Sequence, residues 1–457
     1  MEIKLCKIFI MQLPKIKKIS RSLVCEYVSP FDFAFSQNAS FVLLKGDESS
    51  KERYSILACD PLLIFTTKGS ELSLQTAQGK QLLKGEPFAY LQKMLDHFAV
   101  LADHGEHRFN AALLGALSYD LKDQLENMQA KARDDLQLPE MIFLLCKNYY
   151  VFDEYNKTLE HIKVESDAEV IAENFPEPTL QVGKIDANFS EQAYCAAVQS
   201  VVDEISAGEM YQANISQRFE LPFKSDPFKL FKKVYQNNPA PMMAYLQTKE
   251  LAIISTSPER FLRRQGNFVE SMPIKGTRPR GKDVQEDQKM SSALLASEKD
   301  AAELAMIIDL VRNDLGKLAK AGSVKLESAK RLERYANVFH LVADIVAETS
   351  ADVSAVELIK ACFPAGSITG CPKLRAMEAI EAVEPVKRSF YCGSIGYLDF
   401  AGNFDFNVAI RTLLLTKQKL YFNLGGGIVF DSLPQAEYQE TLAKGASIFN
   451  LLRKSYE

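Results

Sequence analysis

Four carboxylates on two helical stretches are the first candidates for chemistry. In EKDAAELAMIIDLVRNDLGK, Asp300 and Glu303 are three apart and share a helix face. Glu303 stands four residues before Ile307, in an apolar pattern of Leu304, Ile307, Ile308, Val311, Leu315 and Leu318, which turns it toward the buried side. A carboxylate there must find a cation or donors, because an unpaired buried charge is costly. In PQAEYQETLAKGASIFNLLR, Glu437, Glu440 and Lys444 form one stripe beside Tyr438, Leu442 and Phe449. If the two helices meet, their oxygens make a hard ligand set that suits Mg²⁺ and leaves room for an oxyanion. By spacing alone, the same acids also read as solvated helix faces, and that is the commoner outcome.

Three further features could bind an anion. FPAGSITGCPKLRAMEAI puts glycines and hydroxyls ahead of a proline that opens a helix, whose free N–H groups attract negative charge. The GGG of NLGGGIVFDS stands at a strand end and lets backbone amides come close to a ligand. Arg411 in FNVAIRTLLL is a lone charge read as lying inside an apolar strand, so it needs a carboxylate from the protein or from a substrate. Each feature also has an ordinary reading as turn chemistry or a structural ion pair. Together they describe a site for a small polyanion without naming it.

The elements that must position these residues follow from periodicity. FVLLKG, LLIFTT and MIFLLCKNYYVFD are strands of a first part, placed at 20–165. A polar, acidic stretch at 165–188 with Pro176 and Pro178 reads as a connection to a second part at 188–450. There Ser190 caps a helix that Gly208 stops. LAIISTS, FVESMPI, YCGSIGYLDF, FNVAIRTLLLT and KLYFNLGGGIVFD read as strands, and 298–320, 331–348, 372–382 and 434–453 as helices. Successive strands with short turns and helices in blocks predict an antiparallel α+β protein.

Composition narrows the function class. The chain has 457 residues, a net charge of −5 and 47% hydrophobic residues, which is globular and gives no basic face for nucleic acid. No apolar run is long enough to span a bilayer as a helix, and the N-terminus lacks a signal-peptide pattern. Eight scattered cysteines without a C-x-x-C pair predict reduced thiols in a cytoplasm, with no zinc site.

The runs SPERFL, PIKGTRPRG, DLVRNDLGK, FPAGSITGCPK, YCGSIGYLDF, FNVAIRTL and GGGIVFDS, followed by P-x-x-E-Y-x-E-T-x-x-K, occur in order over about 188–450. Together they resemble the chorismate-utilising enzymes, which include the component I proteins of anthranilate and aminodeoxychorismate synthases and the isochorismate and salicylate synthases. The resemblance implies a large antiparallel β-sandwich core with helices packed outside, and a cleft between. It implies Mg²⁺ on Glu303 and Glu440, with Asp300 and Glu437 nearby, holding the ring carboxylate of chorismate. Arg411 and Tyr391 match residues that grip the enolpyruvyl carboxylate. Gly276, Thr277, Ser367, Gly425, Gly427 and Lys444 match the substrate wall. His340, which pattern alone reads as a core histidine on a helix, matches a histidine beside the leaving hydroxyl.

Two positions separate the branches of this family. Gln212 in GEMYQANIS stands where water-using members place a lysine, and a glutamine is no general base. Ammonia is therefore the expected nucleophile. Lys275 in PIKGT matches the aminodeoxychorismate branch, as does Asn214, whereas anthranilate synthases carry alanine at the lysine position. The resemblance makes Lys275 a covalent nucleophile and Glu259 the acid that protonates the departing hydroxyl. No glutaminase signature occurs in the chain, so a separate glutamine amidotransferase subunit is the expected ammonia source. Leu43, Leu44, Lys45 and Gly46 replace the serine-containing element of tryptophan-binding members, so feedback by tryptophan is not expected.

Overall fold

The computed structural model describes residues 9–24, 27–36, 39–44, 54–102, 109–171, 181–237, 239–335 and 337–453. Part of the 165–188 connection, Lys45, Gly46 and the first eight residues lie outside them. No described helix is long and apolar enough to cross a membrane.

Two long strands organise the chain. They are β1 (Tyr54–Lys68) and β2 (Met141–Asp153), which pair along most of their length. Both are buried on both faces through most of their course, which explains their nearly continuous apolar sequence. The register slips between Pro61 and Leu63, next to Asp60 at φ 60°. On one side of this slip β1 takes Phe41–Leu44 as its other neighbour, and on the other side it takes Glu71–Thr76. One pair of strands thus belongs to two sheets, with the irregularity at the corner.

The first sheet runs from Phe41–Leu44 through Met242–Gln247 to β4 (Leu251–Ser257), with β3 (Gln212–Lys224) at its far side. The second runs from β2 through Ala112–Leu117 and Ser394–Asp399 toward β5 (Arg260–Gln265). It continues through Phe268–Met272 and β6 (Ile274–Pro279) to β7 (Val338–Glu348). Three last strands complete the network: β8 (Phe404–Asn407) beside β5, then β9 (Thr412–Thr416) beside β4, then β10 (Lys419–Ile428) between β9 and β3. Every pairing between these strands is antiparallel. Strands from 41–166 pair directly with strands from 242–399, so the early part of the chain builds the same sheets as the later part.

The chain changes sheets twice at one place. β4 passes to β5 through Pro258 and Glu259, and β8 passes to β9 through Val408–Arg411. The two crossings are stitched together. Val408 N–H donates to Glu259 O at 3.0 Å, and Thr256 N–H donates to Arg411 O at 3.1 Å.

Helices cover the sheets. In α1 (Glu298–Gly316), Leu304, Ile307, Ile308, Val311 and Leu315 are buried, as the pattern predicts. α2 (Lys373–Val383) starts after Pro372, and α3 (Pro434–Lys444) lies against β10. The expected helix at 434–453 is two helices, broken at Gly445, where a Cβ would come within 2.4 Å of Leu424.

Two readings are corrected. The stretch 331–348 is no helix: it holds the end of strand Lys325–Arg334 and then β7. β7 has strand partners on both edges and is buried on both faces, so its apolar run carries no period of two. His340 is therefore a strand residue. Arg411 is also not inside a strand, but sits at the crossing between β8 and β9 with φ 50°.

Candidate active site

Lys275 and Glu259 meet beside the crossing. Lys275 projects from β6, and its amine donates to the Ser367 carbonyl at 3.3 Å. Burial pulls the amine below its ordinary pKa, against the opposing pull of the Glu303, Glu259 and Glu440 carboxylates. Lys444 adds to the depression. Glu259 is only 4% exposed. Burial raises its carboxyl to about 7, although the Ser367 hydroxyl, Lys275, the Ile274 backbone and Arg411 all favour the ionised form. Burial therefore shifts both groups toward their uncharged forms. Gly276 follows Lys275 with φ 79°, and a Cβ there would stand 2.9 Å from Asp300. That residue must stay small because β6 approaches the start of α1 so closely.

Arg411 and His340 lie within electrostatic reach of one another. The Arg411 guanidinium makes no hydrogen bond or ion pair with any described residue. Burial lowers its pKa, and the charge of Glu259 works the other way. His340 is fully buried on β7. Its Nδ1 is 2.9 Å from the Thr277 hydroxyl and 3.4 Å from the Gly276 carbonyl. Its Nε2 is buried without a partner among the described residues. Burial, helped by the Arg411 charge, depresses its pKa to about 4, so the imidazole is neutral at pH 7. The buried Ser367 hydroxyl also lacks a hydrogen bond of acceptable geometry, although it lies beside Glu259. Tyr391 is buried, its ring 5.9 Å from the Arg388 guanidinium.

The acids lie along α1, α3 and β10. A Cβ added at Gly426 would be 3.3 Å from Glu437 Oε2 and 3.5 Å from Glu440 Oε1, so both carboxylates rest on bare backbone. Glu440 pairs with Lys444 at 2.7 Å, and the same amine donates to the Gly425 carbonyl at 3.0 Å. The Ser432 hydroxyl donates to Glu437 at 2.6 Å. The Glu437 carboxyl is nevertheless pushed up, by burial first and also by the charge of Glu440. Glu303 has no hydrogen bond or ion pair with a described residue. Asp300 is taken by Arg278 at 2.9 Å. Among the described residues, no three acids, imidazoles or thiols form a ready-made metal cage.

A profile of the chorismate binding enzymes matches residues 41–450. The chain belongs to that family. Two relatives named aminodeoxychorismate synthase component 1 are 37% identical in Escherichia coli (88% of this chain, 90% of that protein) and 33% identical in Bacillus subtilis (89% and 90%). The anthranilate synthase component 1 of Acetivibrio thermocellus is 31% identical over 93% of this chain and 92% of its own length. The crystal structure of anthranilate synthase component I from Streptococcus pneumoniae superposes with a TM-score of 0.75 at 28% identity, covering 94% of this chain and 99% of that one.

Within this chorismate-binding fold, the glycines of β10 lie against β3. A Cβ at Gly427 would lie 2.1 Å from Gln212 Nε2, and one at Gly425 would lie 2.5 Å from the Ile215 carbonyl. The GGG run is therefore close packing of β10 against β3, and its middle member carries the acids. Pattern reading missed one buried unit, Glu384 with Arg388. Their side chains pair at 2.7 Å, and the guanidinium stands 4.7 Å over the Tyr119 ring. The i, i+4 spacing in EPVKR was the available signal, but it does not distinguish a buried pair from a surface one.

Proposed function

We propose that this chorismate-binding enzyme converts chorismate and ammonia to 4-amino-4-deoxychorismate, with ammonia coming from a separate glutaminase subunit. One observation carries this reading: the Lys275 amine and the Arg411 guanidinium both act on the protonatable Glu259 carboxyl, and Arg411 has no ion pair with a described residue. The relatives named component 1 for this activity support it. Lys275 adds through its lone pair to C2 of the ring. Both ring double bonds shift by one position, from C1=C2 and C5=C6 to C1=C6 and C4=C5, and the C4 hydroxyl leaves with the proton of Glu259. Ammonia then attacks C4, both double bonds shift back, and the Lys275 amine is expelled. One hard substitution becomes two easier ones. Arg411 and Tyr391 grip the enolpyruvyl carboxylate, and His340 meets the departing hydroxyl. Gly276, Thr277, Ser367, Gly425, Gly427 and Lys444 complete the wall.

The acids have the donor chemistry that suits Mg²⁺, although no three of them are gathered into a cage among the described residues. Glu303 has no partner among the described residues, and Glu437 and Glu440 repel one another in a way a cation relieves. Glu303 and Glu440 would hold the ion with Glu437 beside them, and Asp300 would stay with Arg278. The metal supplies charge for the ring carboxylate of chorismate.

The deciding assay uses purified protein with chorismate, Mg²⁺ and ammonium. A non-aromatic amino product that an added lyase turns into p-aminobenzoate supports this reading. Fluorescent anthranilate would instead place the chain with its anthranilate synthase relatives.

Two expected results follow from the site. Glu259 must be protonated to act as an acid, so amination should fall as pH rises through about 7. Glu259→Gln should be slow and lack that limb of the kcat profile. An unchanged alkaline limb in this variant would assign the titration elsewhere. Glu440→Gln should raise the Mg²⁺ concentration needed for half-maximal rate by roughly tenfold or more. An unaltered metal dependence removes Glu440 from the ligands.

A further inference from the structure

Asn214 makes a contact that strand pairing does not require. From β3, its Nδ2 donates to the Ser367 carbonyl at 2.8 Å. The Lys275 amine donates to the same oxygen at 3.3 Å. A carbonyl oxygen offers two lone-pair directions, so a donor held in one leaves a defined direction to the other. Asn214 takes the shorter bond and Lys275 the longer.

The asparagine is fixed on several sides. Its backbone N–H donates to Thr369 O at 2.8 Å, and Gln212 Nε2 is 3.4 Å from its Oδ1. The buried Arg388 donates to its backbone carbonyl at 2.5 Å. The same guanidinium reaches the Ile368 carbonyl at 3.2 Å and is held by Glu384. One buried ion pair therefore anchors both the peptide that carries Asn214 and the peptide next to Ser367.

We propose that Asn214 is a positioning residue, which by occupying one side of the Ser367 carbonyl sets the direction in which the Lys275 amine reaches the ring. A lysine side chain has many rotamers, and ordering it costs side-chain entropy. A weak, well-aimed bond to one carbonyl restricts the amine yet releases it for attack. With the Asn214 donor gone, the carbonyl keeps a free lone pair in a buried place. It then draws the Lys275 amine closer and competes with the ring for it. Substrate grip is untouched, because Arg411 and the acids supply it. The loss should appear in turnover rather than in affinity.

This proposal rests on the reading of Lys275 as the nucleophile, and the test separates the two. The full chain is assayed with chorismate, saturating ammonium and Mg²⁺ as wild type, Asn214→Asp, Asn214→Val and Lys275→Ala. Aspartate keeps the size of asparagine and removes the donor, so it decides if the valine variant fails to fold. A fall in kcat of about tenfold or more, with the chorismate KM within about threefold, supports the proposal. A kcat within about threefold of wild type, or a loss confined to KM, overturns it. If Lys275→Ala keeps the wild-type rate, both readings fall. If it is impaired while Asn214→Asp is not, only the positioning role falls.

Discussion

Lys275→Ala should lower formation of the 4-amino product by on the order of a thousandfold or more. The reason is the pairing of position and charge. Lys275 is the amine that burial depresses while three carboxylates surround it. Lys444, the other lysine in the group, is tied to Glu440 and to the Gly425 carbonyl. It cannot take over without breaking both contacts. Without an amine to add at C2, ammonia must displace the C4 hydroxyl directly, or add at C2 itself. Residual amination is therefore expected at C2, and chromatography of the products distinguishes the two. Lys275→Arg should be as inactive as the alanine variant, because a guanidinium stays protonated and cannot attack. Intact-mass measurement with ammonium omitted should show chorismate-derived mass on the wild type and none on either variant. An unchanged rate and product for Lys275→Ala would end the covalent role.

The parts of this site that were legible in sequence are those set by local rules. Ser190 caps its helix through Ala193 N–H, and the apolar stripe of α1 is buried as its spacing requires. Glu303, Glu437 and Glu440 were placed on helix faces by the same periodicity. What stayed hidden depends on partners far apart in the chain. β7 has Lys275 and Leu332 opposite the same Leu341, one on each edge. A strand in that position is apolar on both faces and looks like a buried helix. Arg411 sits amid apolar residues, and nothing local says that two strands change sheets there. The bond from Arg278 to Asp300 links β6 to α1, so spacing within α1 could not reveal that Asp300 is already occupied.

Arg411→Gln should raise the chorismate KM by roughly a hundredfold while leaving thermal stability level or higher. The two halves have one cause. A guanidinium half-buried at a sheet crossing without an ion pair from any described residue is held at a cost in folding. Its backbone is also at φ 50°, where a side chain is strained. Such a residue destabilises the empty protein and is compensated when a carboxylate arrives. Removing it relieves the fold and takes away the grip. Arg411→Gly relieves the backbone as well, and should melt no lower than Arg411→Gln. Bound chorismate should raise the melting temperature of the wild type much more than that of either variant, because only the wild type gains the ion pair. Melting curves with and without chorismate measure both effects. A large drop in the stability of empty Arg411→Gln would show that the guanidinium already serves the fold, and its assignment to the substrate carboxylate would then be lost.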